Sequence, residues 1–159
     1  MTLSNILSYA EEIFGEPFDR DVQKNLEVDT RRNLMKKFRF AILGAGHIAR
    51  QFCDAVSRID GCEVCAVASK SLARAENFAK ENGVESYYDD YETLLEKERA
   101  DCAYIAVTTN DHYRLSVLCV NHSVPVLCEK AMFQNSEEAK NLYALASEKK
   151  IFIMEALWS

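Results

Sequence analysis

From Phe38 onward, short apolar runs alternate with stretches in which apolar residues recur every three or four positions. The short runs predict strands at Phe38 to Leu43, Glu63 to Ala68, Glu85 to Tyr87, Cys102 to Val107, Pro125 to Cys128 and Ile151 to Ala156. The amphipathic stretches between them predict helices over residues 48–59, 72–82, 91–97, 112–120 and 137–149. Ser71 can cap the second helix, Asp89 with Glu92 resembles a capping box for the third, and Asn135 with Glu138 does so for the last. The strands are near-continuous apolar runs, as in a parallel sheet covered by helices on both faces. The expected fold class is therefore α/β, a doubly wound parallel sheet of about six strands over residues 38–159. Residues 1–37 follow another pattern. Leu3, Ile6, Leu7, Ala10, Ile13 and Phe14 recur at helical spacing until Gly15 and Pro17, and Val22, Leu26, Leu34 and Met35 punctuate a charged second stretch. This segment reads as an N-terminal helical arm without visible chemistry, packing on the main domain or on another subunit.

Composition narrows the function classes. With 159 residues, 48% hydrophobic and 28% charged, the chain can bury the core of one ordinary domain. A net charge of -6 without a basic stripe argues against nucleic acid as a partner. The opening "MTLSNILSYAEEIFGEPF" has no basic n-region, and Glu11 and Glu12 interrupt its apolar residues, so neither a signal peptide nor a membrane span is expected. A cytoplasmic location follows from that reading. The six cysteines lie mostly inside apolar runs and are expected to be free buried thiols. Cys62 and Cys65 have the spacing of a redox or zinc motif, but on a strand residues three apart face opposite ways, so no metal is expected.

The chemistry begins at Gly44-Ala-Gly46-His-Ile-Ala49, which fits G-x-G-x-x-A at the passage from strand to helix. Gly44 permits a tight turn, Gly46 lets backbone approach a pyrophosphate, and Ala49 allows close helix-sheet packing. The helix start offers unpaired N–H groups and a positive dipole end to the anion, with His47 and Ile48 beside it as further cofactor-lining residues. At the end of the second strand, an acid that would accept the ribose hydroxyls of NAD is missing; the residues are Ser69 and Lys70, with Arg74 one turn later. Ser69 can donate to a phosphate and Lys70 and Arg74 can neutralise it, which favours NADP, with NAD as the alternative. The missing acid also weighs against S-adenosylmethionine. Solvated surface charge is the competing reading of Lys70 and Arg74.

Farther along, Tyr104-Ile-Ala-Val-Thr-Thr-Asn-Asp-His112 and Glu129-Lys130-Ala131 follow strands, at the carboxyl edge where open α/β sheets place ligands. With the glycine motif, Ser69-Lys70 and Met154-Glu-Ala-Leu-Trp158, these segments resemble the Gfo/Idh/MocA oxidoreductases, in the branch near dihydrodiol and xylose dehydrogenases. The resemblance covers Phe38 to Ser159. It implies an NAD(P)-dependent enzyme that moves hydride between nicotinamide and a hydroxyl- or carbonyl-bearing carbon of a small molecule, often a sugar or polyol. It also implies roles. Lys130 and His112 are the catalytic candidates, Lys130 by hydrogen-bonding the substrate oxygen; Glu129 helps place the nicotinamide ribose; Thr108, Thr109 and Asn110 line the cofactor. For Lys130 the bland reading is a surface partner of Glu129, for His112 an ordinary structural histidine, and His122 reads as surface. Family members continue into a second domain that binds substrate, which this chain lacks by the same reading. The expectation is a cofactor half that alone holds NADP weakly at most and turns nothing over. A stand-alone nucleotide-binding or regulatory module, and an inactive relic that self-associates through the surface around Leu157 and Trp158, are the alternatives.

Overall fold

The computed structural model describes residues 37–157, so the expected arm, apart from Lys37, and Trp158 with Ser159 lie outside the described residues. Strands and helices alternate without exception: β1 (Phe38–Leu43), α1 (His47–Ser57), β2 (Cys62–Ala68), α2 (Leu72–Asn82), β3 (Ser86–Tyr88), α3 (Tyr91–Lys97), β4 (Cys102–Ile105), α4 (Thr109–Asn121), β5 (Val126–Glu129), α5 (Ser136–Lys149) and β6 (Ile153–Ala156). The six strands form one sheet in the order β3-β2-β1-β4-β5-β6, and every pairing is parallel. The chain steps outward from β1 through β2 to β3, then returns to the other side of β1 at β4. The carboxyl ends of β1 and β4 therefore diverge into opposite faces, which opens a crevice between their following loops.

Both faces of the sheet are apolar because alternate residues of each strand go to opposite sides. Ala41 and Leu43 of β1, Ala66 and Ala68 of β2, Ala103 and Ile105 of β4 and Val126 and Cys128 of β5 pack under Leu94, Leu115, Cys119 and Leu142 of α3, α4 and α5. Ile42, Val67 and Tyr104 pack on the other side against Ala49, Cys53, Phe78 and Ala79 of α1 and α2. Full burial of a Leu, Ile or Phe is worth about 1.5–3 kcal/mol, so the two layers supply the main stabilisation. The ring of Phe52 stacks on Tyr104 at 3.8 Å. On this second face the cover thins toward the sheet edge, where Met154 and Leu157 are exposed.

The pairing of β1 with β2 skips Cys65, since Phe40 faces Val64 and Ala41 faces Ala66. This bulge turns Cys65 into the α3 side, where its thiol donates to the Phe40 carbonyl at 3.3 Å. All six cysteines are free, with Cys62 half-buried and the rest buried. Burial pushes the thiols of Cys53, Cys65 and Cys102 up to about 11 and that of Cys128 up to about 12. Among the described residues, no helix is long and apolar enough to cross a membrane.

One of three helix starts matches expectation and two differ from it. Ser71 caps α2 by accepting from the Arg74 N–H, as its position suggests. The cap of α3 is Asp90 rather than Asp89: its carboxylate accepts from the Thr93 N–H at 2.7 Å and the Thr93 hydroxyl at 2.8 Å. Two adjacent aspartates make the register ambiguous in sequence, and the three-residue reach to a hydrogen-bonding Thr93 resolves it. Helix α4 begins at Thr109, a turn before His112, because the polar Thr-Thr-Asn-Asp run forms its first turn instead of a loop.

Candidate cofactor site

The turn from β1 to α1 is built by its glycines. Gly44 has φ +113°, and a Cβ there would lie 2.4 Å from the Ala106 carbonyl oxygen. No side chain fits in that position, so the loop after β4 can run directly against the turn. Gly46 is the N-cap of α1 in ordinary extended backbone, has no side-chain cap and, apart from the Ala106 carbonyl at 3.9 Å, leaves open space where a Cβ would stand. The first turn of α1 carries no acid. An anion therefore meets uncapped N–H groups, a positive dipole end and no side chain in the way. Ala49 is fully buried against the sheet, which brings α1 close to it.

A cavity of about 470 Å³ opens in front of this turn, lined by Gly44, Ala45, Gly46, Ser69, Lys70, Arg74, Tyr91, Ala106, Val107, Thr108 and Asp111. It unites the carboxyl ends of β1, β2 and β4 with the starts of α1 and α4. The structure thus brings together Gly44, Gly46, Ser69, Lys70, Arg74 and Thr108. It does not bring the other candidates to this wall. His47 is exposed and its Nε2 lies 3.3 Å from the Gln51 amide, Ile48 packs against the α1 side of the core, Thr109 lies in α4, and Asn110 Oδ1 accepts from the Gln134 amide at 2.9 Å. Residues that follow a helix start by one or two positions rotate away from the axis end, which sequence adjacency alone does not convey.

Lys70 is exposed, and its charge is paired. Its ammonium is 2.7 Å from Asp111 Oδ2, and Arg114 reaches Oδ1 of the same carboxylate at 3.2 Å. The hydrogen bond from Lys70 holds the Asp111 carboxyl below its ordinary value, with Arg114 adding to the effect. Sequence motifs assign Asp111 no role; its one signal is that it is an acid directly after Asn110, in the first turn of a helix whose start faces the crevice. Tyr91, 8% exposed, completes the wall beneath Lys70, and burial raises its hydroxyl.

The Glu129-Lys130-Ala131 segment is clamped from three sides. Tyr104 donates its hydroxyl to Glu129 Oε1 at 2.5 Å; burial first, and then this bond, drive the phenol well above its ordinary range. The backbone N–H of Met132 donates to Glu155 Oε1 at 2.8 Å, so the acid of the Met-Glu-Ala segment on β6 reaches back to the loop after β5. His112 is 1% exposed, with Nδ1 2.8 Å from the Ala131 carbonyl and Nε2 3.0 Å from that of Val107. A neutral imidazole has one N–H, so each tautomer donates to one of these carbonyls. Both ring nitrogens face backbone, which gives His112 the geometry of a staple between two loops rather than of a group presented to substrate. The peptide joining Lys130 to Ala131 is cis, and Lys130 itself is exposed with no ion pair to another described residue. Glu129, rather than pairing with Lys130, is buried beside a second cavity of about 620 Å³ formed with Phe52, Tyr104, Leu127, Met154 and Leu157.

Fold and cavity define a dinucleotide-binding domain of the Rossmann type. The family comparison agrees: residues 38–156 match the oxidoreductase family with an NAD-binding Rossmann fold. The chain belongs to this Gfo/Idh/MocA oxidoreductase family, as its NAD(P)-binding domain. It is 37% identical over 123 residues to a trans-1,2-dihydrobenzene-1,2-diol dehydrogenase of Mus musculus, covering 76% of this chain and 37% of that one. An uncharacterised oxidoreductase of Escherichia coli, YgjR, is 33% identical over 118 residues, covering 74% and 36%. Among solved structures, a 3-ketoreductase of Actinomadura kijaniata in complex with TDP-benzene and NADP superposes with a TM-score of 0.71 at 26% identity, over 76% of this chain and 38% of that one. An Agrobacterium radiobacter oxidoreductase in complex with NAD+, L-tartaric acid and magnesium has the same fold, with a TM-score of 0.72 at 23% identity, over 76% and 35%. The chain thus spans little more than a third of the length of these relatives.

Proposed function

We propose that this domain holds NADP in preference to NAD, as the cofactor part of an oxidoreductase acting on a hydroxyl- or carbonyl-bearing small molecule of the sugar or polyol kind. The observation that carries the cofactor preference is the segment that follows β2 into the cavity wall: it brings Ser69, Lys70 and Arg74 and no acid of its own, Asp111 reaching Lys70 from α4. The uncapped start of α1 and the open side of Gly46 fit the pyrophosphate. When bound, the nicotinamide supplies the hydride chemistry. The chain's own part is to orient the cofactor at this turn and to present Lys130 from a loop fixed by Glu155, His112 and the Tyr104–Glu129 bond. In this reading Lys130 hydrogen-bonds the substrate oxygen, and its charge stabilises an oxygen that gains negative character. Glu129 helps to place the nicotinamide ribose, and His112 is a positioning residue. The naming of dihydrodiol dehydrogenases and a 3-ketoreductase among the relatives supports the substrate class.

The relatives' further length supplies, in this reading, the substrate wall and any additional catalytic group. Thermal denaturation with NADP, NAD and S-adenosylmethionine tests the cofactor assignment. NADP raises the midpoint most, NAD less and S-adenosylmethionine not at all, while Lys70→Asp reverses the order of the first two. Equal shifts with NAD and NADP in the parent chain remove the argument from Ser69 and Lys70.

A further inference from the structure

The cation assigned to the cofactor phosphate is already occupied. Lys70 Nζ lies 2.7 Å from Asp111 Oδ2, and that carboxylate lines the same cavity as Gly44, Gly46 and Ser69. It is fixed in place, since it belongs to the first turn of α4 and is also held by Arg114 at 3.2 Å. Lys70 is a flexible ammonium with 68% of its side chain exposed, whereas Asp111 has 22%. The lysine is the exposed partner and the acid the more buried one. A surface ion pair of this kind contributes little to folding, about 0–1 kcal/mol, so its place at the mouth of the cavity has more consequence for ligands than for stability.

We propose that Asp111 is a specificity-determining residue for the cofactor: it competes with the 2′-phosphate of NADP for Lys70 and so narrows the chain's preference for NADP over NAD. This rests on the reading of the cavity as a dinucleotide site. NAD carries a neutral hydroxyl where NADP carries the phosphate, and it binds with the Lys70–Asp111 pair intact. NADP brings a second anion to the same ammonium. Either Lys70 leaves Asp111, which leaves the carboxylate with Arg114 as its remaining cation, or it serves both and two like charges are drawn together. Both routes penalise NADP alone.

The test is equilibrium titration of NADP and NAD into the full chain, its Asp111→Asn variant, and Lys70→Ala with and without Asp111→Asn, with the unliganded denaturation midpoint recorded for each. Asparagine keeps size and polarity in the first turn of α4. The expected result is that Asp111→Asn raises the ratio of NADP to NAD affinity by about three- to tenfold at low salt. The gain shrinks as salt rises, because these charges are exposed and screened by added ions. The gain is absent when Lys70 is alanine. A ratio that falls or stays level in Asp111→Asn overturns the proposal while leaving the dinucleotide site intact. A gain that survives Lys70→Ala also overturns it, because the phosphate is then read by Arg74 or Arg114. No binding of either nucleotide by the parent or the variant overturns both this proposal and the reading beneath it.

Discussion

The five described helices start in two different ways. α2, α3 and α5 begin at Ser71, Asp90 and Asn135, whose side chains accept hydrogen bonds from the first-turn N–H groups. α1 and α4 begin at Gly46 and Thr108 with no side-chain cap, and both residues line the same cavity. A helix start without a capping side chain forgoes from a few tenths of a kcal/mol, where the N-cap is glycine, to about 1 kcal/mol. Side-chain caps close α5 and also α2 and α3 at the margin of the cavity, and the two uncapped starts are those on either side of the crevice where strand order reverses. The amino edge of the sheet is satisfied in the same way as the capped helices. Arg39 there bonds Glu98, Glu63 and the Arg99 carbonyl, and Tyr88 donates to Glu98 at 2.9 Å. Uncapped helix starts are thus concentrated at the crevice.

The largest break in this contrast comes at Gly44. Gly44→Ala places a Cβ against the Ala106 carbonyl in a backbone conformation that L residues rarely adopt, and costs about 3–5 kcal/mol. Urea denaturation reads this directly, and an unchanged midpoint would show that the β1–α1 turn is not fixed by that contact.

Removing a cap on the satisfied side has a smaller effect. Asp90→Ala costs about 1 kcal/mol at neutral pH. The Thr93 N–H holds the Asp90 carboxyl below its ordinary value of 3.8 in the folded chain. Its stabilisation is therefore complete at pH values well above 3.8 and is lost as pH falls below that through the depressed native value. The stability gap between parent and Asp90→Ala should close over that acid range, and a gap that persists unchanged there would show that the carboxylate is not the cap.

The smallest stability effect has the opposite sign. Gly46→Ser adds a capping hydroxyl to α1 in a backbone conformation that serine adopts freely, and raises stability by a few tenths of a kcal/mol. If that variant were destabilised, α1 would have needed its glycine for folding and not for a ligand.

Much of this architecture was legible in sequence because the strands are short apolar runs with helical spacing between them. Periodicity identifies such elements well, and their ends differ by one to three residues where polar turn residues flank them, as at α4. The glycine turn was legible because Gly44 and Gly46 each answer a local backbone demand. Three things were hidden. Asp111 meets Lys70 across a separation of 41 residues, so only the fold brings the two together. His112 and Glu155 act on a loop they do not adjoin in sequence, gripping Ala131 and Met132 respectively. Asp90 displaced Asp89 because a cap depends on one backbone torsion, and composition cannot discriminate two neighbouring acids.

The central claim is that the uncapped start of α1 is kept open for the pyrophosphate of NADP. Calorimetric titration of NADP into the parent chain and into Gly46→Ser tests it most directly, since that substitution separates folding from binding. The account predicts one saturable site in the parent, and at least a tenfold loss of affinity in a variant that is as stable as the parent or more so. Equal affinity in the two proteins would contradict it.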